Sequence, residues 1–291
     1  MTIAIIDGDI PCYQCFPPRW ESKQKMLSLV DGVVISQDIV QLDATGDYII
    51  PQFTEEEDLR YIEKGWENFK RQHQKLLDDL WTTDFLMAVK GAYNFRDQLY
   101  DEYKKPRHRQ ASKPTPYTLS KRFVPAIRKR AVKEDYAIFA HGREADDYIR
   151  IWAEECRHLG KDYVICSIDK DLRCIPGKHW LMHPGLKDSE RLIEVTEEDA
   201  LRFYYKQILM GDSTDNIPGI SGLGPKTADK ILAPFKTDEE FQEAVVDAYF
   251  KVYGKDDWFS YLNINAKLIH IQKFKNDYCD LMQWPLVKEL L

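Results

Sequence analysis

The most informative stretch of the chain reads GDSTDNIPGI at residues 211–220 and continues as SGLGPKTA at residues 221–228. Asp212 and Asp215 are three positions apart, so both carboxylates can lie on one face of a turn and hold a divalent cation. The glycine-rich turn that follows leads into a predicted helix at residues 227–232. Such a turn points backbone N–H groups and a helix N-terminus at phosphate. Together, the two features predict a metal-dependent site that cuts nucleic acid.

Composition limits the class of protein. The 291 residues suffice for one large domain or two modest ones. No apolar run reaches the length of a membrane span, and the N-terminus lacks the basic flank of a signal peptide. The six cysteines are scattered, and no second pair accompanies Cys12 and Cys15, which predicts reduced, buried thiols and a cytoplasmic protein.

The charge distribution favours a polyanionic partner, although the net charge is −7. Residues 103–133 contain eleven Lys or Arg and no Asp or Glu, so the remaining chain is strongly acidic. A basic surface exposed to solvent is the alternative explanation. So long a run without one acid nevertheless favours a basic track for nucleic acid.

The order of predicted elements indicates an α/β fold. Strands are predicted at residues 2–6, 85–89, 136–140, 163–168 and 180–182, with a β-hairpin within residues 30–50. Helices are predicted at residues 54–80, 119–133 and 144–159, and the chain is helical after about residue 196. Alternating strands and helices predict a mostly parallel twisted sheet flanked by helices, followed by a helical C-terminal region.

Acidic residues follow the predicted strands and should meet at one edge of the sheet. Ligands of such sheets bind beyond the carboxyl ends of the strands. The acids in question are Asp7, Asp9, Glu144, Asp146, Asp147, Asp169, Asp171, Asp212 and Asp215. Each group alone has a structural explanation, as a helix N-cap, a turn former or a complement to a helix dipole. Their common edge favours a site for two Mg²⁺ ions about 4 Å apart.

Five motifs in this order resemble the 5′-nucleases, the flap endonucleases and 5′→3′ exonucleases, particularly small bacteriophage members. They are IIDGD (5–9), YKKPR (103–107), GREADD (142–147), SIDKDL (167–172) and the 211–228 stretch. The resemblance implies a PIN-like nuclease domain at residues 1–200, with a basic arch at about residues 90–133. It also implies a helix–hairpin–helix DNA-binding region at residues 201–291.

The resemblance also implies roles for individual residues. The implied metal ligands, direct or through water, are Asp7, Glu144, Asp146, Asp147, Asp169, Asp171, Asp212 and Asp215. Lys104 and Arg107 would be catalytic, contacting the scissile phosphate. The implied DNA contacts are Tyr103, which would stack on a base, with Lys105, Arg96, Gly222, Gly224, Lys226 and Thr227. The cofactors would be two Mg²⁺ ions, with Mn²⁺ able to substitute, and K⁺ at the hairpin.

The chain departs from the family pattern at the end of the second strand. Family members usually carry an Asp there, a few residues before an aromatic–Arg pair. Here Phe95 and Arg96 are present, but the acidic position falls on Lys90 or Gly91. Either Asp9 compensates for the missing acid or one metal ion binds weakly.

The expected activity is hydrolysis of DNA phosphodiesters near a 5′ end by a monomer, leaving a 5′-phosphate and a 3′-hydroxyl. Free 5′ ends, flaps and duplexes with a single-stranded 5′ arm would be substrates. RNase H-like removal of RNA 5′ ends from RNA–DNA hybrids and non-catalytic binding of DNA structures stay open as alternatives. A phosphatase of the haloacid-dehalogenase type would use the DGD motif, but leaves the hairpin and the basic segment unexplained.

Overall fold

The computed structural model describes residues 2–16, 54–105 and 117–291, with side chains described from residue 122 in the last range. The hairpin predicted within residues 30–50 and the predicted catalytic Arg107 lie outside the described residues.

A six-stranded sheet forms the centre of the fold and confirms the predicted α/β class. Its strands are β1 (Ile3–Asp7), β2 (Phe85–Asn94), β3 (Ile138–Gly142), β4 (Tyr163–Ser167), β5 (Gly177–Leu181) and β6 (Leu192–Val195). The spatial order is β3-β2-β1-β4-β5-β6. All neighbouring strands are parallel except β5 and β6, so the carboxyl ends of β1, β2, β3 and β4 share one edge.

Helices flank the sheet and continue to the end of the chain. They are α1 (Asp9–Gln14), α2 (Glu55–Asp79), α3 (Arg96–Leu99), α4 (Tyr117–Lys133), α5 (Ala145–His158), α6 (Glu197–Met210), α7 (Pro225–Leu232), α8 (Asp238–Ile269) and α9 (Pro285–Leu290). Short 3-10 helices occupy Lys170–Cys174, Asp188–Glu190 and Leu281–Gln283. None of the helices in the described ranges combines the length and the apolar character that a membrane span needs.

The sequence explains why helices pack on both faces of the sheet. β1 and β4 are apolar and almost entirely buried, as central strands covered on both faces must be. Helix α2 begins where the Thr54 hydroxyl accepts a hydrogen bond from the Glu57 N–H, and the Glu57 carboxylate accepts one from the Thr54 N–H. Its buried residues recur every three or four positions and face β2 and α4. Helix α5 covers the opposite face of the sheet.

A second core is built by α6, α7, α8 and α9. Trp258 and Trp284 are buried in it. Tyr103, from the start of the basic segment, also packs into this core. All six cysteines are buried free thiols, as predicted. The division of the chain at about residue 200 stays a prediction.

Candidate active site

The carboxylates predicted to meet at the sheet edge lie close to one another, except that of Asp147, which pairs with Arg96 instead. Asp7 ends β1, Asp169 lies two residues beyond β4, and Asp146 stands in the first turn of α5. β1 and β4 are parallel neighbours, with Ile6 opposite Cys166, so the residues that follow them emerge side by side. Asp171 follows Asp169 in the 3-10 helix and faces α6, where the Gln207 amide donates a hydrogen bond of 2.8 Å to its Oδ1.

Asp7 lies at the centre of this negative charge. Its side chain is 6 % exposed, accepting hydrogen bonds from the Ser167 hydroxyl at 2.9 Å and the Asp9 N–H at 3.2 Å. Burial, followed by the charges of Asp9 and Asp169, raises the pKa of Asp7 to about 7 despite these hydrogen bonds. A cation bound nearby would stabilise the ionised form of such a carboxyl group.

Two further carboxyl groups show the same effect. Burial raises the pKa of Asp146 well above its usual range, and the charges of Asp7 and Asp169 add to the shift. Burial also raises the pKa of Asp171 to about 6, with Asp169 and Asp212 contributing. Each shift involves Asp169, so that residue joins the acids of β1, α5 and the 211–215 turn in one negative region.

Lys104 reaches the other side of this negative region from the basic segment. Its Nζ forms an ion pair with Glu144 and lies 3.5 Å from Asp215 Oδ2. Burial by itself would favour the neutral acid, but the charges of Lys104 and Arg96 hold the pKa of Glu144 below its usual range. The Lys104 backbone has a φ of 55°, which L-residues seldom adopt, and its N–H donates a 2.9 Å hydrogen bond to the Asp215 carbonyl. The predicted phosphate-contacting lysine therefore lies among the predicted metal ligands.

Residues 211–224 form a tight hairpin between α6 and α7. Asp212 and Ile217 pair through hydrogen bonds of 3.0 and 2.8 Å. Gly219 has a φ of 62°, and a Cβ there would lie 2.2 Å from the Met210 carbonyl carbon, so only glycine fits. Gly222 is exposed with a φ of 74° and leads into the α7 N-terminus.

Helix α8 holds this hairpin from behind. The Asn265 side chain is fully buried, and its Oδ1 accepts a hydrogen bond of 2.9 Å from the Gly219 N–H. The Tyr253 hydroxyl accepts from the Ser221 N–H at 3.2 Å and donates to the Gly219 carbonyl at 3.4 Å. The opposite side of the hairpin is open, since Gly222, Lys226 and Thr227 are exposed and Gly224 is half-buried. The predicted backbone-contacting residues are therefore available to a ligand.

Three predicted residues have different surroundings from those expected. Arg96 is 2 % exposed and pairs with the fully buried Asp147 through two hydrogen bonds of 2.8 Å, so the prediction that Arg96 contacts DNA is wrong. Asp147 also accepts hydrogen bonds from the backbone N–H groups of Glu144 and Gln272. Both of its carboxylate oxygens are therefore held by protein donors. Tyr103 is buried, with its hydroxyl 3.2 Å from Glu144, so the expectation that it stacks on a base is also wrong.

The position of the absent acid is occupied by backbone. A Cβ at Gly91 would lie 1.9 Å from the Ala140 carbonyl oxygen, so β2 and β3 approach too closely for a side chain there. Asp9 Oδ1 accepts hydrogen bonds from the Lys90 N–H at 3.1 Å and from Arg128 Nε at 2.8 Å. These partners disfavour the hypothesis that Asp9 replaces the missing ligand.

Within the described ranges, no group of three or more His, Cys, Asp or Glu side chains is already spaced to hold a metal ion. The donor set nevertheless fits hard divalent cations, because it consists of carboxylates that raise one another's pKa. Sequence reasoning missed the neutral side chains that orient these acids, Ser167 and Gln207, as well as Asn265 behind the hairpin. Only Ser167 carried a local signal, since it stands two residues before Asp169.

The comparisons with known proteins agree with the motifs. Residues 60–202 match the family model described as 5′-3′ exonuclease, N-terminal resolvase-like domain. This match confirms the resemblance to 5′-nucleases.

Among curated relatives, Flap endonuclease Xni of Shewanella piezotolerans is 28 % identical over 209 residues, covering 68 % of this chain and 77 % of that protein. DNA polymerase I of Bacillus caldotenax is 34 % identical over 187 residues, covering 59 % of this chain but 20 % of that protein. DNA polymerase I of Rhizobium leguminosarum is matched over 14 % of its length. The chain therefore spans at most about a fifth of these polymerases.

Solved structures share the fold. The T5 D15 protein co-crystallised with metal ions superposes with a TM-score of 0.57 at 17 % identity, covering 92 % of this chain and 86 % of that one. The T5 D15 flap endonuclease in a complex with DNA and metal ions gives a TM-score of 0.55 at 15 % identity, covering 92 % and 99 %. These likenesses confirm the predicted fold, a mostly parallel sheet followed by a helical region.

Proposed function

We propose that this protein is a metal-dependent 5′-nuclease that hydrolyses DNA phosphodiesters near a 5′ end, as a 5′→3′ exonuclease and flap endonuclease. One observation carries the proposal. Asp7, Asp146 and Asp171 each have a raised pKa because they are buried close to further acids, and Lys104 stands at the border of this group. Such a region attracts divalent cations beside a positive group able to bind phosphate.

The metal-holding residues would be Asp7, Glu144, Asp146, Asp169, Asp171, Asp212 and Asp215. Two bound Mg²⁺ or Mn²⁺ ions would activate a water molecule and neutralise the negative charge that develops on the leaving oxygen. Asp147 is better placed as a support, since its carboxylate fixes the Glu144 backbone and is itself held by Arg96.

Lys104 and Arg107 would then position the substrate. The Lys104 ammonium group would bind a phosphoryl oxygen and stabilise its charge. Its pairing with Glu144 and Asp215 places the ammonium at the acids before substrate arrives, so little reorganisation is needed. Arg107 would add a second positive charge on the same chain segment.

The hairpin would hold the duplex part of the substrate. Gly222, Gly224, Lys226 and Thr227 present backbone N–H groups, a hydroxyl and an ammonium group, which suit phosphates and read no bases. The protein would therefore recognise the shape of the DNA substrate rather than its base sequence. Because the contacts are to phosphates, binding should weaken steeply as the salt concentration rises. The division into a nuclease domain at residues 1–200 and a DNA-binding region at residues 201–291, the K⁺ site at the hairpin, the monomeric state and the cytoplasmic setting belong to the same proposal.

The test is cleavage of a labelled 5′-flap duplex with and without Mg²⁺. Asp169→Asn should lower the cleavage rate on the order of a hundredfold or more, the scale for losing one electrostatic group at a reacting site. Asp188→Asn is the matched control, because this acid is 76 % exposed and pairs with Arg191 away from the sheet edge. Product lengths separate exonucleolytic from flap cleavage.

A second substrate, whose 5′ arm is RNA, tests the RNase H-like alternative. Preference for that arm would reassign the substrate class. Tight binding without cleavage of either substrate, in Mg²⁺ and in Mn²⁺, would overturn the proposal in favour of a non-catalytic DNA-binding protein.

A further inference from the structure

The ends of β2 and β3 form a corner of the sheet next to the carboxylate site. This β2–β3 corner (residues 90–95 and 140–143) carries two cations, Lys90 and Arg143, to which the proposed chemistry gives no role. Arg143 directly precedes Glu144, one of the acids assigned to the site. Positive charge therefore borders the negative region where β2 and β3 end.

Arg143 has no acidic partner. It is half-buried, and its guanidinium lies over the Tyr148 ring, 5.3 Å from the ring centre. Its Nε is buried without a hydrogen-bond partner, and in the described part of the chain no acceptor binds its other nitrogens. The contact with the ring holds the guanidinium in place but satisfies none of its N–H donors. These donors are therefore available to an anion.

Lys90 lies on the face of the sheet that α5 covers. It stands opposite Ala140 in the parallel pairing of β2 with β3 and two positions after Ala88, so its side chain shares their face. Both alanines belong to the small core against which Tyr148 packs. Lys90 is exposed, and no carboxylate of the described residues lies within 4 Å of its ammonium group. Its N–H donates a 3.1 Å hydrogen bond to Asp9, which places it beside the acidic site.

An exposed tyrosine lies at the same corner. Tyr93 is 47 % exposed and precedes Asn94, which pairs with Gly142 across the two strands. A Cβ built on Gly142 would lie 4.0 Å from Tyr93 Cδ1, so the ring lies against the residue before Arg143. An aromatic ring so open to solvent offers a face to a planar ligand.

The acids around this corner have cations of their own. Glu144 forms an ion pair with Lys104, and Asp9 lies 2.8 Å from Arg128. Both contacts join opposite charges, so these two acids do not consume the charge of the corner cations. The exposed Asp97 on α3 has no cation within 4 Å among the described residues, and it offsets at most one charge. The remaining acids of the site would face the bound metal ions. At least one positive charge is therefore left for a ligand.

We propose that Lys90, Arg143 and Tyr93 bind the single-stranded 5′ arm of the substrate next to the cleavage point. The assignment rests on the proposed nuclease function, which supplies that strand. The two cations would contact backbone phosphates, and Tyr93 would stack on an unpaired base. Cations beside an aromatic ring are the means by which proteins hold single strands without reading their sequence. The bases of a duplex are stacked on one another, so a duplex would leave the tyrosine face unused.

The test compares two DNA ligands by fluorescence anisotropy over a series of KCl concentrations. One is a duplex with a single-stranded 5′ arm, and the other is the same duplex without the arm. EDTA is present throughout, so neither DNA is cut and the measurement does not depend on nuclease activity. Lys90→Met and Arg143→Met each remove one charge. Lys161→Met is the matched control, because this exposed lysine lies two residues before β4, at the opposite edge of the sheet.

The salt dependence gives the expected size of the effect. Each phosphate contact with a single strand contributes about −0.7 to the slope of log K against log salt concentration. Lys90→Met and Arg143→Met should each remove that contribution for the armed duplex, which is about a fivefold loss of affinity at about 0.1 M salt. Tyr93→Ala should weaken binding at least about fivefold at an unchanged slope, because stacking releases no counterions. The duplex without an arm, and Lys161→Met with either DNA, should show neither change.

The outcomes separate this inference from the proposed nuclease activity. Equal losses for both DNAs would overturn the assignment to the single strand, since the contacts would then be to the duplex. Unchanged binding in the variants would overturn it even if the wild type cuts flaps. Arm-dependent losses in a protein that cuts no flap in Mg²⁺ or Mn²⁺ would support the arm site while the nuclease proposal fails. Thermal unfolding shows whether each variant is folded, and Lys90→Met serves if Arg143→Met is not.

Discussion

Replacing Arg96 by Met should be among the most destabilising single substitutions in this protein. The change removes two 2.8 Å hydrogen bonds to Asp147, a 3.1 Å bond to the Leu268 carbonyl and a bond to the His270 carbonyl. It leaves the fully buried Asp147 carboxylate with only backbone N–H partners, from Glu144 and Gln272. Removing one partner of such a buried pair costs about 3–5 kcal/mol.

The assay is equilibrium unfolding in guanidinium chloride, followed by tryptophan fluorescence. Lys75→Met is the matched control, because the ammonium of Lys75 is 66 % exposed and its ion pair with Asp79 should contribute less than about 1 kcal/mol. The double variant Arg96→Met, Asp147→Asn also removes the buried carboxylate charge that Arg96→Met leaves unpaired, so it should be more stable than Arg96→Met alone. The reasoning fails if Arg96→Met is as mild as the control, or if adding Asp147→Asn lowers the stability further.

Three further predictions rest on single contacts. Gly219→Ala should lower the stability in thermal unfolding by more than about 3 kcal/mol, because the added Cβ meets backbone atoms. Gly160→Ala is the control: Gly160 has the same φ of 62° but open space around it, so the substitution should cost about 1–2 kcal/mol. Asn265→Leu leaves the Gly219 N–H without its acceptor and should cost about 1–3 kcal/mol in chemical unfolding, while weakening duplex binding in a fluorescence titration. Burial lowers the pKa of His73 from 6.5 to about 4. As the pH falls, His73 therefore binds a proton in the unfolded chain before it does so in the folded protein, which favours unfolding. The free energy of unfolding should thus fall by about 2 kcal/mol between pH 7 and pH 5. His73→Phe should reduce that fall in unfolding measured at both pH values; an unchanged slope would show that other groups cause it.

The central strands and the sheet edge were predictable because their signals are local. Short apolar runs mark β1 and β4, and acids directly after a parallel strand must emerge at its carboxyl end. β6 escaped prediction because it is an antiparallel edge strand with mixed polarity, and its Leu192 is 51 % exposed. Edge strands lack the continuous apolar pattern on which such predictions depend.

The roles of adjacent acids were not predictable in the same way. Asp146 and Asp147 are neighbours in sequence but point about 100° apart around α5, so one faces the sheet edge and the other faces away from it. What decides the role of Asp147 is Arg96, which lies 51 positions earlier. Tyr103 was misjudged for a similar reason, because the core that covers it is formed by residues more than a hundred positions later.

The contacts between the basic segment and the hairpin have a mechanical consequence. The Lys104 N–H is bonded to the Asp215 carbonyl, and the Asn216 side chain donates a 2.9 Å hydrogen bond to the Glu102 carbonyl, 114 positions away. Two loops distant along the chain are thus tied together at their backbones. Because these hydrogen bonds join the segment that carries Lys104 to the hairpin, we expect a displacement of the hairpin to move Lys104 with it.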